Sequence, residues 1–264
     1  MTHAAAPPKI EFRNVCLHYF GRDGETEALR DIGLSIAAGE FVAIVGQSGC
    51  GKSTLLSLLA GLLQPTTGQV LIDGKPVTGP SPSIGFMLQQ DTLFEWRTIL
   101  ENTVLGPEIR GENRAAARAR AEALLERYGL GAFKHHRPAQ LSGGMRQRAA
   151  LARTMCLEPD ILLLDEPFSA LDFQTRLSLG AEIGSIIRNA GKTAILVTHD
   201  IPEAISIADR VVVLSRRPGR VRSEHGIAFP SCGATRPTAI AARDAVEFPA
   251  LFDTVWQELD VHVD

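Results

Sequence analysis

The stretch from Phe41 to Ala60 constrains this chain more than any other. Val42 to Val45 is an unbroken apolar run, which predicts a strand buried on both faces. Thr54-Leu55-Leu56-Ser57-Leu58-Leu59-Ala60 predicts the start of a helix. Between them Gly46-Gln47-Ser48-Gly49-Cys50-Gly51-Lys52-Ser53 has the spacing G-x-x-x-x-G-K-S. Strand, glycine loop and helix together form the setting that gives this pattern its meaning, a loop for phosphate. Gly46, Gly49 and Gly51 let the backbone curl so that its N–H groups converge on phosphate oxygens. The helix N-terminus adds partial positive charge. Lys52 can reach the β- and γ-phosphates, and the Ser53 hydroxyl can ligate Mg²⁺.

The chain's 264 residues suffice for one large domain or two small ones. Its net charge of −3, without a like-charged block, argues against nucleic acid as a partner. Cys16, Cys50, Cys156 and Cys232 stand far apart, in neither a disulfide framework nor a zinc pattern. Cys50, inside the phosphate loop, is read as a small filler rather than a redox switch. No apolar run approaches the roughly 18 to 20 residues of a membrane helix. Met1 to Pro8 lacks the features of a signal peptide. A location in the cytosol is expected, with any work at a membrane done through partners.

In chain order, Ile10–Val15 and Leu29–Ile36 read as strands, with a polar turn at residues 21–24. Tyr19 is either a core aromatic or a platform for a base. Val70–Ile72 and Ile84–Leu88 read as short strands, the second followed by Gln89-Gln90. Thr98 to Met155 turns helical, most strongly over Arg114–Tyr128, where Gly129 and Gly131 stop the helix. Ile161–Leu164 is a buried strand ending in Asp165-Glu166. A helix over Phe173–Asn189, a strand over Thr193–Val197 ending in Thr198-His199-Asp200, a helix over Pro202–Ala208 and a strand over Val211–Leu214 follow. Apolar strands alternating with helices predict a parallel sheet covered on both faces. Beyond Gly219 the pattern loosens, with one helix over Pro249–Leu259 whose apolar stripe (Leu251, Phe252, Val255, Trp256, Leu259) is expected to pack on the core.

An Asp-Glu pair closing an apolar strand downstream of a phosphate loop has a specific use. Asp165 can hold Mg²⁺, and Glu166 can polarise an attacking water. Ligands of such sheets gather at the carboxyl ends of strands, where the loop, Asp165-Glu166 and His199 all fall. Leu141-Ser142-Gly143-Gly144-Met145 before a helical run offers a second phosphate-binding surface. Two such surfaces are more than one nucleotide needs from one chain.

Here the chain resembles the ATP-binding cassette (ABC) ATPases over nearly its whole length. Gly46–Ser53 resembles their Walker A, Ile161–Glu166 their Walker B and Leu141–Met145 their signature motif. Ser169-Ala170-Leu171-Asp172 resembles the D-loop, His199 the switch histidine, Gln89 the Q-loop glutamine and Tyr19 the adenine-stacking aromatic. Met145 replaces the usual signature glutamine, a departure similar to the nitrate/sulfonate/taurine branch of importers. Leu93-Phe94-Glu95-Trp96-Arg97-Thr98, Ala208-Asp209-Arg210 and Arg217-Pro218-Gly219-Arg220 are similar to that branch too, although Glu95 stands where proline is common there.

The resemblance implies an α/β P-loop NTPase with a parallel-sheet core and a helical insertion, the ABC ATPase fold. It assigns a core to about 9–90 and 158–220, the insertion to about 91–157 and a C-terminal extension to about 221–264. ATP and Mg²⁺ are the implied cofactors. Tyr19, Gly46, Gln47, Ser48, Gly49, Cys50, Gly51, Lys52, Ser53 and Thr54 would bind nucleotide from one subunit, and Ser142, Gly143 and Gly144 from the other. Ser53, Gln89 and Asp165 would serve the metal. Glu166 would be the base, with His199, Gln89 and Lys52 completing the catalytic set. The implied partners are a second copy arranged head to tail, membrane permease subunits and, indirectly, a solute-binding protein. The implied place is the cytoplasmic face of the inner membrane. The implied task is uptake of a small anion such as nitrate, a sulfonate or taurine. Two alternatives stay open: an ABC ATPase acting on DNA or ribosomes, and an exporter's ATPase subunit. Leu93, Phe94 and Trp96 are either a docking site for the permease or part of the insertion's core.

Overall fold

The computed structural model describes residues 7–21, 24–169, 171–233 and 236–259. The chain runs β1 (Ile10–Gly21), β2 (Gly24–Ile36), β3 (Phe41–Val45), α1 (Lys52–Leu59), β4 (Thr67–Ile72), β5 (Lys75–Pro76), β6 (Ile84–Met87), α2 (Ile99–Thr103), α3 (Leu105–Ile109), α4 (Arg114–Arg127), α5 (Gly143–Met155), β7 (Ile161–Asp165), α6 (Phe173–Asn189), β8 (Thr193–Thr198), α7 (Ile201–Ile207), β9 (Arg210–Leu214), β10 (Val221–Gly226), α8 (Ala239–Asp244) and α9 (Phe248–Glu258). It forms two compact units: Met1–Ser81 with Gly180–Asp264, and Pro82–Leu179.

In the first unit β3 is the central element. It pairs in parallel with β8 on one side and β9 on the other. All three are buried nearly throughout, as unbroken Val, Ile, Leu and Ala runs require. The parallel expectation holds for them. It fails at β10, which joins β9 antiparallel. A second sheet, ordered β2-β1-β4-β5, is antiparallel throughout. Its strands alternate buried and exposed residues over parts of their length and run longer than expected, because Thr26–Leu29 and Leu17–Tyr19 pair beyond the apolar segments. The expected turn at 21–24 includes residues 22 and 23, which lie outside the described residues, as do residues 1–6 of the amino-terminal segment.

Ala208-Asp209-Arg210 pins this sheet. Asp209 Oδ2 accepts from the Phe41 N–H at 3.0 Å, and Arg188 Nη1 lies 2.6 Å from Asp209 Oδ1. Arg210 grips both carboxylate oxygens of Glu40 at 2.8 and 3.0 Å and also pairs with Glu224 on β10. This motif is a structural staple at the amino end of β3, away from the strand's carboxyl end.

Beyond Gly219 the expectation of a single helix is too sparse. β10 and α8 are also present. β10 alternates half-buried and exposed residues and carries Arg, Ser, Glu and His, so no apolar run advertises it. The stripe of α9 packs only in part. Val255 is buried, whereas Trp256, stacked on Phe252 at 5.8 Å, stays 46 % exposed.

In the second unit β6 and β7 pair in parallel and α2 to α5 supply the helical part. Gly85 lets β6 approach α5: a Cβ there would lie 2.6 Å from Thr154 Cγ2. Thr98 caps α2 in a reciprocal box with Glu101, accepting from the Glu101 N–H at 3.2 Å while Glu101 Oε2 accepts from the Thr98 N–H at 2.7 Å. Asn113 caps α4 through the Ala116 N–H.

Candidate functional site

The first unit builds a cradle at the carboxyl end of β3. Gly51, the residue before α1, has φ +105°, a left-handed conformation that favours glycine. A Cβ there would also meet Leu29 Cδ2 at 2.6 Å. No side chain caps the amino end of α1 and no carboxylate lies in its first turn, so no acidic side chain there offsets the partial positive charge of the helix end. Lys52 is only 6 % exposed. Its ammonium donates to the carbonyls of Gly46 (2.8 Å) and Gln47 (3.1 Å) of its own loop. Among the described residues it forms no ion pair. A buried cation beside an uncapped helix end fits an anionic group, which would supply the missing counter-charge. Ser48, Gly49 and Ser53 are exposed, and Cys50 is buried. Burial pushes the Cys50 thiol pKa up, against a smaller lowering by Lys52, as befits a filler.

Tyr19 is 44 % exposed, which rules out the core reading. Its hydroxyl lies 3.2 Å from Thr54 Oγ1, tying the ring to the first turn of α1. His199 is exposed in the loop after β8, whose last residue, Thr198, sits in register with Val45. The phosphate loop and His199 therefore leave neighbouring strand ends. Asp200 caps α7 by accepting from the Glu203 N–H at 2.9 Å, which fixes the direction of that loop.

The second unit gathers the rest. Leu164 pairs with Met87, so Gln89 and Asp165-Glu166 emerge from adjacent strand ends. Gln89 Nε2 donates to Ser169 Oγ (3.2 Å), which donates to the Glu166 carbonyl (3.0 Å). Glu166 has φ +43°, a left-handed conformation uncommon outside glycine and typical of strained functional positions. Of the D-loop, Ala170 lies outside the described residues. Ser142 is exposed and caps α5, accepting from the Met145 N–H at 3.3 Å. Gly143 and Gly144 form the helix's first turn. Gln89 and Gly143 line one cleft of about 630 Å³, with Arg146 and Ser169.

Several contributors escaped the sequence reading. Arg146 Nε bonds Asp91 Oδ2 at 2.9 Å, and Arg153 donates to the carbonyls of Asp91 and Thr92 at 2.8 and 2.7 Å, holding the segment after Gln89. Asn102, fully buried, accepts from the Phe94 N–H at 2.7 Å and donates to its carbonyl at 3.1 Å. The arginines after the signature glycines were a visible signal. Asn102 gave none. Arg217 Nε donates to the Gly49 carbonyl at 3.3 Å, and Gly219 bonds Ala28 and Arg30, so Arg217-Pro218-Gly219-Arg220 buttresses the phosphate loop.

The second unit also holds a groove of about 570 Å³ lined by Trp96, Leu100 and Val104 and by charged Arg97 and Glu108. Trp96 is 69 % exposed and stacks on Phe94 at 4.7 Å, so its ring is not core, although Leu93 is buried.

Known proteins are similar to this chain in sequence and fold. Residues 29–169 match the family described as ABC transporter. An uncharacterized ABC transporter ATP-binding protein, YtlC of Bacillus subtilis (strain 168), is 46 % identical over 92 % of each chain. A taurine import ATP-binding protein, TauB of Burkholderia pseudomallei (strain 1710b), is 42 % identical over 84 % of this chain and 85 % of its own. Among solved structures, the cassette MJ0796, a dimer in a post-hydrolysis state bound to ADP and Pi, superposes with a TM-score of 0.72 at 34 % identity, over 83 % of this chain and 99 % of that one. The chain thus belongs to the ABC transporter family, as an ATP-binding subunit related to the taurine/sulfonate/nitrate importer branch.

Proposed function

We propose that this chain hydrolyses MgATP to power a membrane importer of a small anion such as taurine, another sulfonate or nitrate. It works as a homodimer on the cytoplasmic face of the inner membrane. The observation that carries the reading is the phosphate cradle, with its buried Lys52, which forms no ion pair among the described residues, at the uncapped start of α1. The relatedness to a taurine import protein supports the substrate class, and the dimeric cassette structures support the assembly. No helix among the described residues is long and apolar enough to cross a membrane. In this proposal separate permease subunits supply the route for solute.

Tyr19 stacks on adenine. Gly46 to Thr54 enclose the phosphates with backbone N–H groups, and Lys52 turns its ammonium from the loop carbonyls to the β- and γ-phosphates. Among the described residues no three His, Cys, Asp or Glu form a metal cage. Mg²⁺ needs few protein ligands, and Ser53, Gln89 and Asp165 would hold it and let it draw charge from the phosphates. Glu166 takes the proton from the attacking water, and His199 donates to the γ-phosphate as charge builds there. Ser142, Gly143 and Gly144 close on the nucleotide held by the partner copy. The groove at Trp96 receives the permease.

The test is Mg²⁺-dependent ATP hydrolysis by the purified chain, with its isolation from detergent-solubilised membranes. A co-isolated polytopic permease and uptake of taurine or nitrate by the reconstituted complex support the reading. Ribosomes or DNA in its place, or no hydrolysis, reject it.

A further inference from the structure

The carboxyl end of α9 meets the phosphate loop. Gln47 Nε2 donates to the Leu259 carbonyl at 3.0 Å, bridging 212 positions of sequence. Leu259 is the cap residue of α9, so Gln47 satisfies one of the carbonyls that every helix leaves unpaired at its end. One residue earlier, the Glu258 carboxylate accepts from Ser223 Oγ and lies 2.9 Å from His225 Nε2, both on β10. The last turn of α9 is thus held at two points, on the sheet edge and on the loop that receives phosphate. It carries no basic residue, and Glu258 adds a carboxylate to the partial negative charge of the helix end.

We infer that α9 is a latch that opposes nucleotide at the phosphate loop. The inference rests on the proposed nucleotide site and adds a regulator to it. With the latch docked, a helix end of negative potential sits beside the loop through Gln47, where a polyphosphate must bind. The two negative groups disfavour each other, and by linkage whatever displaces α9 tightens nucleotide while nucleotide loosens α9. Gln47 and Glu258 are positioning residues: neither needs to touch a reacting atom for the coupling to act. Trp256, three residues before the held carbonyl and half exposed, is a built-in reporter.

The experiment uses the full chain with Trp96→Phe, which leaves Trp256 as its single tryptophan. MgADP binding is measured by calorimetry, alongside Trp256 fluorescence and hydrogen exchange over residues 248–259. MgADP should raise exchange across α9 and change the Trp256 emission. Glu258→Ala should tighten MgADP about twofold to fivefold, the range of a helix-end charge effect. Ser223→Ala removes the hydroxyl that contacts Glu258 and His225 but leaves the Glu258 charge, and should tighten it less. In a Gln47→Ala background Glu258→Ala should have no further effect, which a merely destabilising change would not produce. Unchanged or weaker MgADP affinity in both latch variants, with α9 exchange insensitive to MgADP, overturns the latch and leaves the nucleotide site standing. Absence of MgADP binding by the parent chain overturns both.

Discussion

Lys52→Met separates a lysine that holds the fold from one that waits for a ligand. The two side chains are similar in length, so the slot stays filled. Without nucleotide, the change removes two charge-assisted bonds to carbonyls, each worth about 1.5–3 kcal/mol. It also removes the burial of an ammonium, which costs several kcal/mol. The two nearly cancel, and the ligand-free melting temperature should move by less than about 3 °C, at about 2–4 °C per kcal/mol for chains of this size. Binding is different, because loss of a buried charge contact to phosphate costs about 3 kcal/mol, roughly 150-fold in affinity. At MgADP one hundred times the parent's Kd, the parent gains about 2.7 kcal/mol of stability and melts about 5–10 °C higher. The variant, at the same concentration, gains only about 0.3 kcal/mol, a shift of about 1 °C. Differential scanning fluorimetry with and without MgADP reads both arms. A collapse of the ligand-free melting temperature would make Lys52 structural. A ligand shift equal to the parent's would remove it from phosphate binding.

Glu166→Gln should bind MgATP and hydrolyse it at least about 10²-fold more slowly, measured by phosphate release; near-normal turnover removes Glu166 from the role of base. Trp96→Ala should leave ATPase activity of the isolated subunit intact, since the ring is mostly exposed, and weaken co-isolation of the permease; lost basal activity would make the ring structural. Lys52→Ala and Ser142→Arg should each inactivate a homodimer, and their mixture should regain activity after subunit exchange, because a mixed dimer holds one intact pair of surfaces. Silence of a mixture shown by mass to contain heterodimers counts against a shared site, as does full activity of Ser142→Arg alone.

The legible parts of the fold were those with an unbroken apolar run or a capped helix. β3, β7, β8 and β9 end within a residue of expectation because both faces are buried and each closes on a polar or glycine residue. α6 matches its expected span. β10 was illegible because it is an edge strand whose exposed positions carry Arg, Glu and Gly. β1 and β2 were shortened because their distal parts hold His, Tyr, Glu and Thr in place of an apolar run, with His18 set against Glu25 and Glu27 across the hairpin. At the site, local motifs placed Lys52, Gln89, Glu166 and Ser142 where strands end and helices begin. What stayed hidden were contacts between distant segments. Nothing near Gln47 in sequence points to Leu259, and nothing near Phe94 singles out Asn102.

Those hidden contacts explain how the second unit could carry force. Gln89, Ser169 and the Glu166 carbonyl form one hydrogen-bonded run at the chemical end. The backbone after Gln89 is gripped at Asp91 and Thr92 by Arg146 and Arg153, both on α5, the helix that Ser142 caps. Three residues on, Asn102 holds both backbone groups of Phe94, and the Phe94 ring stacks on Trp96 in the groove wall. The segment from Gln89 to Trp96 is therefore a loop fastened at successive points. A loop fastened this way transmits displacement better than a free one, since each hydrogen bond must lengthen or shift with its neighbour. Glu166 and the signature serine are joined to the same loop, one through Ser169 and the other through α5. On the proposed function, a γ-phosphate that displaces Gln89 would pull on this fastened loop, and these bonds are the route by which the pull would reach Trp96.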